Sequence, residues 1–473
     1  MKNEAVLRHR YCGIDDIELY YALVTQYMES KMRNYFKENK TVLIAFITLA
    51  WPTVLEQLLS TVVQYVDTAM VGRLGANATA TVSLSSTYGW TINSVIYSIG
   101  IGFLSYIARA IGEKNQDKIS RAANQAVIAA FSVGIILTII TMSIAPHMPA
   151  WMGADEEIRR DASIYFTLIN APILLRSAMV IFGSVIRATG DTKTPMRINV
   201  FMNVLNTGLN YVFIYMLGFG AIGAGIATSI AYCVGSLLTI IAFAKNPVLH
   251  FDYKHIKFHK PVMWDCLRIG IPVMFTQFVS CSGYIVATSL VSSMKTTIYA
   301  AHSIAITAET IFYIPGYGMQ AATSTLIGNA IGEKNRKKEH SVMVLSITII
   351  FLLMCVSGAA LFIGAEAMMS IFTKDTKVIE IGTTLLRIVA FTEPIFGSAA
   401  VMDGIYAGMG RTQYPLIVEL VTRWGIRILG SFIFVRILGM GINHVWYCMI
   451  GDNITKALLL AIGILFLIRT GRE

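Results

Sequence analysis

The chain has 473 residues, of which 55% are hydrophobic and only 14% charged, and its mean hydropathy is +0.61. Soluble domains usually contain about 25% charged residues, so this composition excludes an ordinary soluble protein. The net charge of +10 does not indicate nucleic-acid binding, because Lys and Arg cluster in short connections between apolar runs, as expected for residues that orient membrane segments. The six cysteines show no CxxC or CxxH spacing, which argues against a metal site or a disulfide framework.

Residues 1–40 lack the compact apolar core and the small-residue cleavage site of a signal peptide. Apolar residues between Leu19 and Phe36 recur in a way that lines one face of a helix. Two interpretations stay open for this cytoplasmic N-terminal extension. It is either an amphipathic helix on the membrane surface or a segment without a packed structure.

Twelve apolar runs follow and predict an all-α membrane protein with twelve transmembrane helices. The predicted spans lie near 43–71, 84–110, 122–145, 163–186, 196–217, 221–243, 266–292, 300–330, 341–364, 381–406, 416–437 and 444–468. The even-numbered connections are richer in Lys and Arg than the odd-numbered ones. The positive-inside rule therefore predicts a multi-pass protein of the cell (inner) membrane with both termini in the cytoplasm.

The sequence also repeats itself. The segment AIGEKNQDK at 110–118 returns as AIGEKNRKK at 330–338, so Gly112 corresponds to Gly332. The same offset relates Pro52 to Pro272, Gln57 to Gln277, Gly190 to Gly410, and Pro195 to Pro415. Six spans per half bring both halves into the membrane from the same side, which predicts two six-helix lobes, related by pseudo-two-fold symmetry, as parallel repeats. We predict lobes at 41–244 and 266–473, joined by a cytoplasmic linker at 245–265.

The first span contains Asp67 among hydrocarbon side chains. An ionisable group at such a depth costs about 2.5–3.5 kcal/mol on insertion scales, and it usually faces a polar cavity where it binds an ion, a proton or a substrate. Asn206 and Asn210 of the fifth span are four residues apart on one helix face, and Asn203 adds a third amide. Buried amides need partners, so a cluster with Asp67 would satisfy both. The alternative interpretation is that these polar groups only hold helices together.

Duplicated helical bundles are typical of secondary transporters, whose substrate path lies between the halves. The chain has no GxxxxGK[ST] phosphate loop, no HExxH motif and no clustered Ser/His/Asp pattern. We therefore predict that it is not an enzyme and that it needs no cofactor other than a coupling ion.

Several segments resemble the multidrug and toxic compound extrusion (MATE) family, in its bacterial NorM-like and DinF-like types. They are VDTAMVGRLG at 66–75, ATGDTKTP at 188–195, PGYGMQAATSTLIGNAIGEKN at 315–335 and AGMGRTQYP at 407–415. The resemblance covers about residues 41–468. It implies an antiporter that exports amphipathic organic cations in exchange for H⁺ or Na⁺, with Asp67, Asn206 and Asn210 at the cation-coupling site. If Na⁺ is the coupling ion, the same three residues would be its ligands.

The second half departs from the NorM-like pattern. Ser280 occupies the position of an acidic residue of the seventh span, and the family's aspartate of the tenth span has no clear equivalent, although Glu393 lies nearby. This departure favours a DinF-like arrangement in which coupling is centred on the first lobe.

Other polar and aromatic residues within the spans are candidates for contact with a substrate or for the wall of a cavity. They are Glu56, Gln57, Asn203, Gln277, Tyr284, Glu393 and Arg427. Two further charged pairs, Glu419 with Arg423 and Asp452 with Lys456, have the i,i+4 spacing that lets opposite charges neutralise each other along one helix.

The expected partners are small organic cations and the lipid bilayer, with no nucleic acid, and the expected functional unit is a monomer. The main alternative is a flippase for a lipid-linked saccharide from the same broad superfamily, since a pyrophosphate group would suit Arg423 and Arg427. A basic central cavity would favour the flippase, and an acidic one would favour drug export. A receptor or scaffold would leave the pseudo-symmetric halves and the buried acid unexplained.

Overall fold

The computed structural model describes residues 37–251 and 256–470. The predicted N-terminal extension therefore lies almost entirely outside the described residues. Within the described residues all regular structure is helical.

In this part of the chain, twelve helical rods, numbered α1 to α12, correspond one to one with the predicted spans. The first six are α1 (Lys40–Gly72), α2 (Ala76–Gly112), α3 (Gln116–Ile144), α4 (Glu156–Asn170 and Ile173–Ala188), α5 (Lys193–Asn210, continued by the π-helix Tyr211–Met216) and α6 (Gly220–Ala244). The next six are α7 (Lys260–Ser292), α8 (Thr296–Gly332), α9 (Arg336–Phe372), α10 (Thr376–Ala390 and Glu393–Met409), α11 (Gln413–Leu420, Val421–Ile428, Leu429–Phe432 and Ile433–Ile437) and α12 (Ile442–Thr470). A short helix, Met148–Trp151, lies between α3 and α4.

Length and composition identify which rods can cross a membrane. In the described part of the chain, seven helices qualify on their own, and the number is nine when the bent halves of α4 and α10 each count as one span. The remaining rods are α5 and α11, which π-helical segments interrupt, and α8, which carries Glu309 and many small polar residues. The prediction of an all-helical membrane protein is confirmed.

Helices α4 and α10 are broken at the same place in the repeat, which the sequence analysis did not predict. The halves of α4 meet at 43° and those of α10 at 55°. Pro172 precedes the second half of α4, and Pro394 lies in the first turn of the second half of α10. A proline there has no N–H to donate and fits the first turn of a new helix, so both sequences favour a restart.

The two AIGEKN segments adopt the same backbone. In the first, Lys114 has a positive φ of 53°, and the side chain of Asn115 accepts a hydrogen bond of 3.0 Å from the amide of Lys118. In the second, Lys334 has a φ of 54° and Asn335 caps its helix in the same way at 3.0 Å. The sequence repeat is therefore also a structural repeat at this turn.

The repeat offset changes within the fold, and a π-helix accounts for the change. Equivalent residues of the two halves, such as Gly112 and Gly332 or Pro195 and Pro415, keep one constant offset as far as the start of α11. Gly218 (φ 70°) is equivalent to Gly439 (φ 65°), which lies one residue beyond that offset. The π-helix Tyr211–Met216 of α5 is equivalent to Ile433–Ile437 of α11. The additional π-helix of α11, Val421–Ile428, therefore accommodates the extra residue, because a π-turn widens a helix and lets the next turns keep their faces.

We call α1–α6 the first lobe and α7–α12 the second lobe. Helix α7 begins at Lys260, inside the predicted linker at 245–265. Among the described residues, one large apolar core lies mostly in the first lobe and includes Phe103, Phe166 and Phe182, and two lie mostly in the second, around Tyr406 and Trp446. Helix α7 also contributes to the first of these cores, and α1 contributes to the core around Tyr406.

The lobes meet through α1 and α2 of the first and α7, α8 and α10 of the second. Side-chain hydroxyls cross the junction, from Thr53 Oγ1 to the Gly318 carbonyl at 2.6 Å and from Ser105 Oγ to the Ala407 carbonyl at 2.5 Å. Near their ends, α2 and α8 approach so closely that a Cβ at Gly112 would overlap a backbone oxygen of α8.

Candidate functional site

Helices α1 and α5 lie side by side and run in the same direction, so their polar residues meet turn by turn. The amide side chains of α5 donate hydrogen bonds from Asn199 Nδ2 to Glu56 Oε1 (2.6 Å), from Asn203 Nδ2 to Ser60 Oγ (3.1 Å) and from Asn210 Nδ2 to Asp67 Oδ1 (2.8 Å). Each donor is 143 residues beyond its acceptor. Asn203 and Asn210 lie on one face of α5, as their spacing predicts, and Asn199, which was not predicted, extends that face.

Asp67 lies at one end of a chain of polar side chains. Asn210, which donates to its carboxylate, also lies 3.4 Å from Asn206 Oδ1, and Asn206 Nδ2 donates to Thr228 Oγ1 of α6 at 3.2 Å. The three predicted coupling residues therefore form one cluster, and Thr228 extends it. No sequence signal indicated Thr228, because its partner is 22 residues away on another helix.

One buried atom of this cluster lacks a hydrogen-bond partner in the described part of the chain. Asn210 is 1% exposed, and its Oδ1 has no hydrogen-bond partner among the described residues. A buried carbonyl oxygen without a donor loses free energy unless a cation or a water molecule approaches it. Next to a carboxylate, this oxygen makes the site one that a small cation can complete with hard oxygen ligands. No group of three or more His, Cys, Asp or Glu residues in the described chain could hold a metal ion.

Glu56 also lies on α1, but its charge is compensated. Arg187 Nη2 of α4 lies 2.7 Å from Glu56 Oε1, the oxygen that also accepts from Asn199. Both side chains of the ion pair are mostly buried. Glu56 is therefore a paired acid on the cavity wall, whereas the partner of Asp67 among the described residues is the amide of Asn210.

A cavity of about 640 Å³ opens beside the α1–α5 face; we call it the first-lobe cavity. It contains six of the predicted residues: Glu56, Gln57, Asp67, Asn203, Asn206 and Gln277. Arg176 also lines it, with its guanidinium 4.5 Å from the ring centre of Tyr232. Gln277 belongs to the second lobe, so the cavity reaches the junction between the lobes.

A chain of six alternating charges crosses the interior of the second lobe. Its successive contacts are Asp403–Lys456 (2.9 Å), Lys456–Glu419 (2.9 Å), Glu419–Arg423 (2.9 Å), Arg423–Asp452 (2.7 Å) and Asp452–Arg427 (3.8 Å). Ser280 Oγ of α7 donates to Glu419 Oε1 at 2.5 Å. The chain links α10, α11 and α12, and α7 joins it through Ser280.

These contacts correct one sequence prediction and match another. Glu419 and Arg423 pair as expected from their i,i+4 spacing. Asp452 and Lys456 do not pair with each other, because α11 brings Arg423 to Asp452, and α10 and α11 bring Asp403 and Glu419 to Lys456. Asp452 and Lys456 therefore each pair with residues of neighbouring helices and not with each other.

A second cavity, of about 420 Å³, lies in the second lobe and reaches α2; we call it the second-lobe cavity. Its wall includes the predicted residues Tyr284 and Arg427, together with Glu309 of α8, which the sequence analysis missed. Glu309 is a single acid in an apolar span, the signal that identified Asp67, and it could have been found in the same way.

Glu393 is not where the sequence analysis expected it. It lies at the start of the second half of α10, is 2% exposed and does not line either cavity. One of its carboxylate oxygens has no hydrogen-bond partner in the described part of the chain. Glu393 therefore lies in the packed interior of the lobe, directly after the 55° bend of α10.

The fold and these cavities define a multi-pass, all-helical membrane protein built from two pseudo-symmetric lobes with polar cavities inside them. Among solved structures, the chain resembles an outward-facing multidrug resistance MATE family transporter of the MOP superfamily, with a TM-score of 0.87 and 22% identity over 91% of this chain and 97% of that one. It also resembles a MOP superfamily transporter from Pyrococcus furiosus described as having a binding pocket of reverse polarity, with a TM-score of 0.86, 23% identity and the same coverage. These similarities show the fold.

The MatE family model matches the chain twice, over residues 52–212 and 272–433. A probable multidrug resistance protein NorM of Thermotoga maritima is 28% identical over 441 residues, which cover 91% of this chain and 94% of that protein. An uncharacterized transporter, YisQ, of Bacillus subtilis is 21% identical over 88% of this chain and 92% of its own length. The chain belongs to the MatE family, and the resemblance read from its motifs is confirmed.

Proposed function

We propose that this transporter exports amphipathic organic cations in exchange for H⁺ or Na⁺, with Asp67, Asn206 and Asn210 as the coupling site. The name of its Thermotoga relative, a probable multidrug resistance protein, supports export of drugs. The alternating connections rich in Lys and Arg support insertion in the cell (inner) membrane with both termini in the cytoplasm. The proposed unit is a monomer.

One observation carries the proposal: the buried Asn210 Oδ1 without a partner, next to a carboxylate on a cavity wall. Burial disfavours an unpaired carboxylate, and Asp67 has one amide donor where Glu56 has a guanidinium and an amide. A proton on Asp67 would supply the missing donor, and Na⁺ would bind the free oxygen atoms of both side chains. Either ion would therefore neutralise the Asp67 carboxylate and give the Asn210 Oδ1 atom a partner.

Exchange follows if the coupling ion and the drug cannot both compensate the charge of Asp67 at the same time. A drug cation that enters the first-lobe cavity favours the ionised form of Asp67, whereas a bound H⁺ or Na⁺ removes the charge that attracts the drug. Occupancy by one therefore disfavours occupancy by the other. Alternating access of the two lobes then couples the ion gradient to export.

The arrangement of the basic residues disfavours the lipid-linked saccharide flippase. Arg423 and Lys456 each contact two carboxylates, and Arg187 is bound to Glu56. A pyrophosphate group would have to displace these acids before it could bind any of these three residues, which leaves Arg427 in the second-lobe cavity and Arg176 in the first-lobe cavity as the arginines that favour the flippase. The acidic first-lobe site has no such conflict with a cation.

The test uses purified protein in proteoliposomes with the fluorescent cation ethidium. A proton gradient and then a sodium gradient are imposed separately on wild type, on Asp67→Asn, and on a control variant, Asp161→Asn, whose carboxylate is exposed at the start of α4. We expect one gradient to drive ethidium transport in wild type and in the control, and no gradient-driven transport in Asp67→Asn. The effective gradient identifies the coupling ion.

Transport by Asp67→Asn at the wild-type rate would contradict the coupling role of Asp67. If neither gradient moved ethidium in wild type, the antiport proposal itself would be wrong. Translocation of a fluorescent lipid-linked saccharide would then favour the flippase.

A further inference from the structure

The first-lobe cavity contains a buried guanidinium that no carboxylate of the described chain contacts. Arg176 of α4 is 6% exposed and lies in the cavity wall. Among residues 37–251 and 256–470 it forms no hydrogen bond or ion pair, whereas Arg187 of the same helix contacts Glu56 at 2.7 Å. A charge inside a membrane protein is costly without a counter-charge, so Arg176 needs a compensating group that approaches it from the cavity.

The one close contact of Arg176 in the described chain leaves its hydrogen-bond donors unused. The guanidinium carbon lies 4.5 Å from the ring centre of Tyr232 on α6, which gives a favourable cation–π contact. The five N–H groups of a guanidinium lie in its own plane, so a ring stacked on that plane does not accept hydrogen bonds from them. Water can bind these N–H groups but cannot compensate the charge. An anion in the cavity can do both.

The charges around the cavity indicate which kind of anion fits. In the described part of the chain, its charged lining residues are Glu56, Asp67 and Arg176, and the rest of the polar wall consists of amides and hydroxyls. Glu56 is paired with Arg187, and no ion pair joins Asp67 to Arg176 within the same part of the chain. A monovalent anion compensates one guanidinium completely. A divalent anion would add a negative charge to a cavity that already holds two carboxylates.

We propose that Arg176 binds a monovalent inorganic anion, chloride, in the first-lobe cavity. With Glu56 and Arg187 paired, the remaining groups are one carboxylate and one guanidinium, which sum to zero charge. Bound chloride leaves the carboxylate of Asp67 as the excess charge, and the cavity then attracts cations more strongly. Chloride and an organic cation therefore each favour binding of the other, because such coupling is reciprocal. This second effect rests on the proposed function, whereas chloride binding itself does not.

The first test is thermal denaturation of the full-length protein in lipid nanodiscs. Sodium chloride is compared with sodium gluconate at the same concentration, so that the sodium concentration and ionic strength stay constant. The variants are Arg176→Gln and a control, Arg436→Gln, which removes an exposed guanidinium from α11. We expect chloride to raise the melting temperature of wild type and of the control by about 1–3 °C, since a ligand that binds the folded state stabilises it. Arg176→Gln should melt at the same temperature in both salts.

A direct measurement does not depend on any variant. Bromide has the charge of chloride and a similar size, and it scatters X-rays anomalously. Crystals of wild-type protein soaked in sodium bromide should show an anomalous peak beside the guanidinium of Arg176 in the first-lobe cavity.

The second test measures how chloride affects the binding of ethidium, again in nanodiscs and without an ion gradient. Fluorescence anisotropy should give a dissociation constant for wild type that is about fivefold lower in chloride than in gluconate, the lower end of usual coupling. In Arg176→Gln the dissociation constant should be the same in both salts and close to that of wild type in chloride, because both have lost the uncompensated positive charge. A guanidinium that served only to pack the helices would not produce this equality.

A wild-type melting temperature that does not depend on chloride, with no bromide peak at Arg176, would overturn the proposal. So would a chloride effect that Arg176→Gln retains, because the anion would then bind elsewhere. If Arg176→Gln does not fold, the position of the bromide peak decides between these sites. The outcome is separable from the antiport test. Chloride-dependent melting together with a failure to bind or transport ethidium would contradict the proposed function and leave the anion site in place.

Discussion

Two carboxylates on the same helix have different surroundings because of single neighbouring residues. Glu56 faces Arg187 and Asn199, which compensate its charge and one of its oxygens. Asp67, three turns further along α1, faces the amide of Asn210 and the cavity. An acid whose charge is compensated stabilises the fold, and an acid without compensation is available to an ion. This difference is the physical basis for assigning coupling to Asp67.

The Glu56–Arg187 pair leads to a prediction about stability. Glu56→Gln removes one partner of a mostly buried pair and leaves Arg187 without its counter-charge, which should cost about 3–5 kcal/mol in the free energy of unfolding. The double variant Glu56→Gln/Arg187→Met should regain most of that loss, because no unpaired charge remains. Denaturation of the detergent-solubilised protein measures both.

The matched control is the exposed pair Glu113–Lys118, for which Glu113→Gln should cost only about 0–1 kcal/mol. Equal losses of unfolding free energy in Glu56→Gln and Glu113→Gln would contradict the prediction, because they would show that Arg187 does not need Glu56 as its counter-charge.

The cluster of Asp67, Asn206 and Asn210 was predictable from sequence, as was the Glu419–Arg423 pair, but the pairs that join distant helices were not. The i,i+4 spacing of Asn206 and Asn210 fixes their common helix face, and a single acid in an apolar span marks Asp67. Arg187, in contrast, meets Glu56 from a distant helix, and no local spacing indicates that contact. The pairing predicted between Asp452 and Lys456 is wrong for the same reason. Long side chains inside a lobe can reach partners on several neighbouring helices, and local spacing does not indicate which partner they contact.

At the scale of elements, the positions of the helices follow from hydropathy, whereas the breaks and π-helical segments within them follow from single residues. The breaks in α4 and α10 depend on Pro172 and Pro394, and hydropathy averages cannot resolve them. The π-helix Val421–Ile428 left a sequence trace, because the repeat offset grows by one residue across it. That trace is visible only when landmarks on both sides of the π-helix are compared.

The π-helix leads to a prediction about deletions. Removing Gly425, which has open space around it, should convert Val421–Ile428 to regular α-helix while the segments on both sides keep their faces, so the protein should still fold. Removing Val356 from the regular helix α9 should rotate everything beyond it by about 100° and expose buried faces to lipid. Size-exclusion chromatography and thermal denaturation compare the two.

We expect the Gly425 deletion to give monodisperse protein with a modestly lower melting temperature, and the Val356 deletion to give aggregates. Similar behaviour of the two deletions would contradict the assignment of the extra residue to this π-helix.

At the scale of the whole molecule, the lobes are held together by close backbone contact as well as by side chains. At the end where α2 and α8 finish, a Cβ on Gly112 would overlap the Asn329 carbonyl oxygen, and one on Gly332 would overlap the Arg109 carbonyl oxygen. Backbone atoms cannot move aside as a flexible side chain can. This conformation of the lobes therefore requires glycine at both positions.

The resulting prediction is that Gly112→Ala separates the ends of α2 and α8 and shifts the population of lobe arrangements. Spin labels at the exposed positions Asp117 and Lys337 report the separation by pulsed electron resonance. We expect a longer mean distance in the variant than in wild type, and slower ethidium export, because one of the two alternating states is disfavoured. The control, Gly364→Ala in α9, adds the same methyl group where no atom lies within 4 Å and should leave the distance unchanged. An unchanged distance in Gly112→Ala would mean that the helices absorb the methyl group locally, and the close approach would then have no part in selecting the state of the transporter.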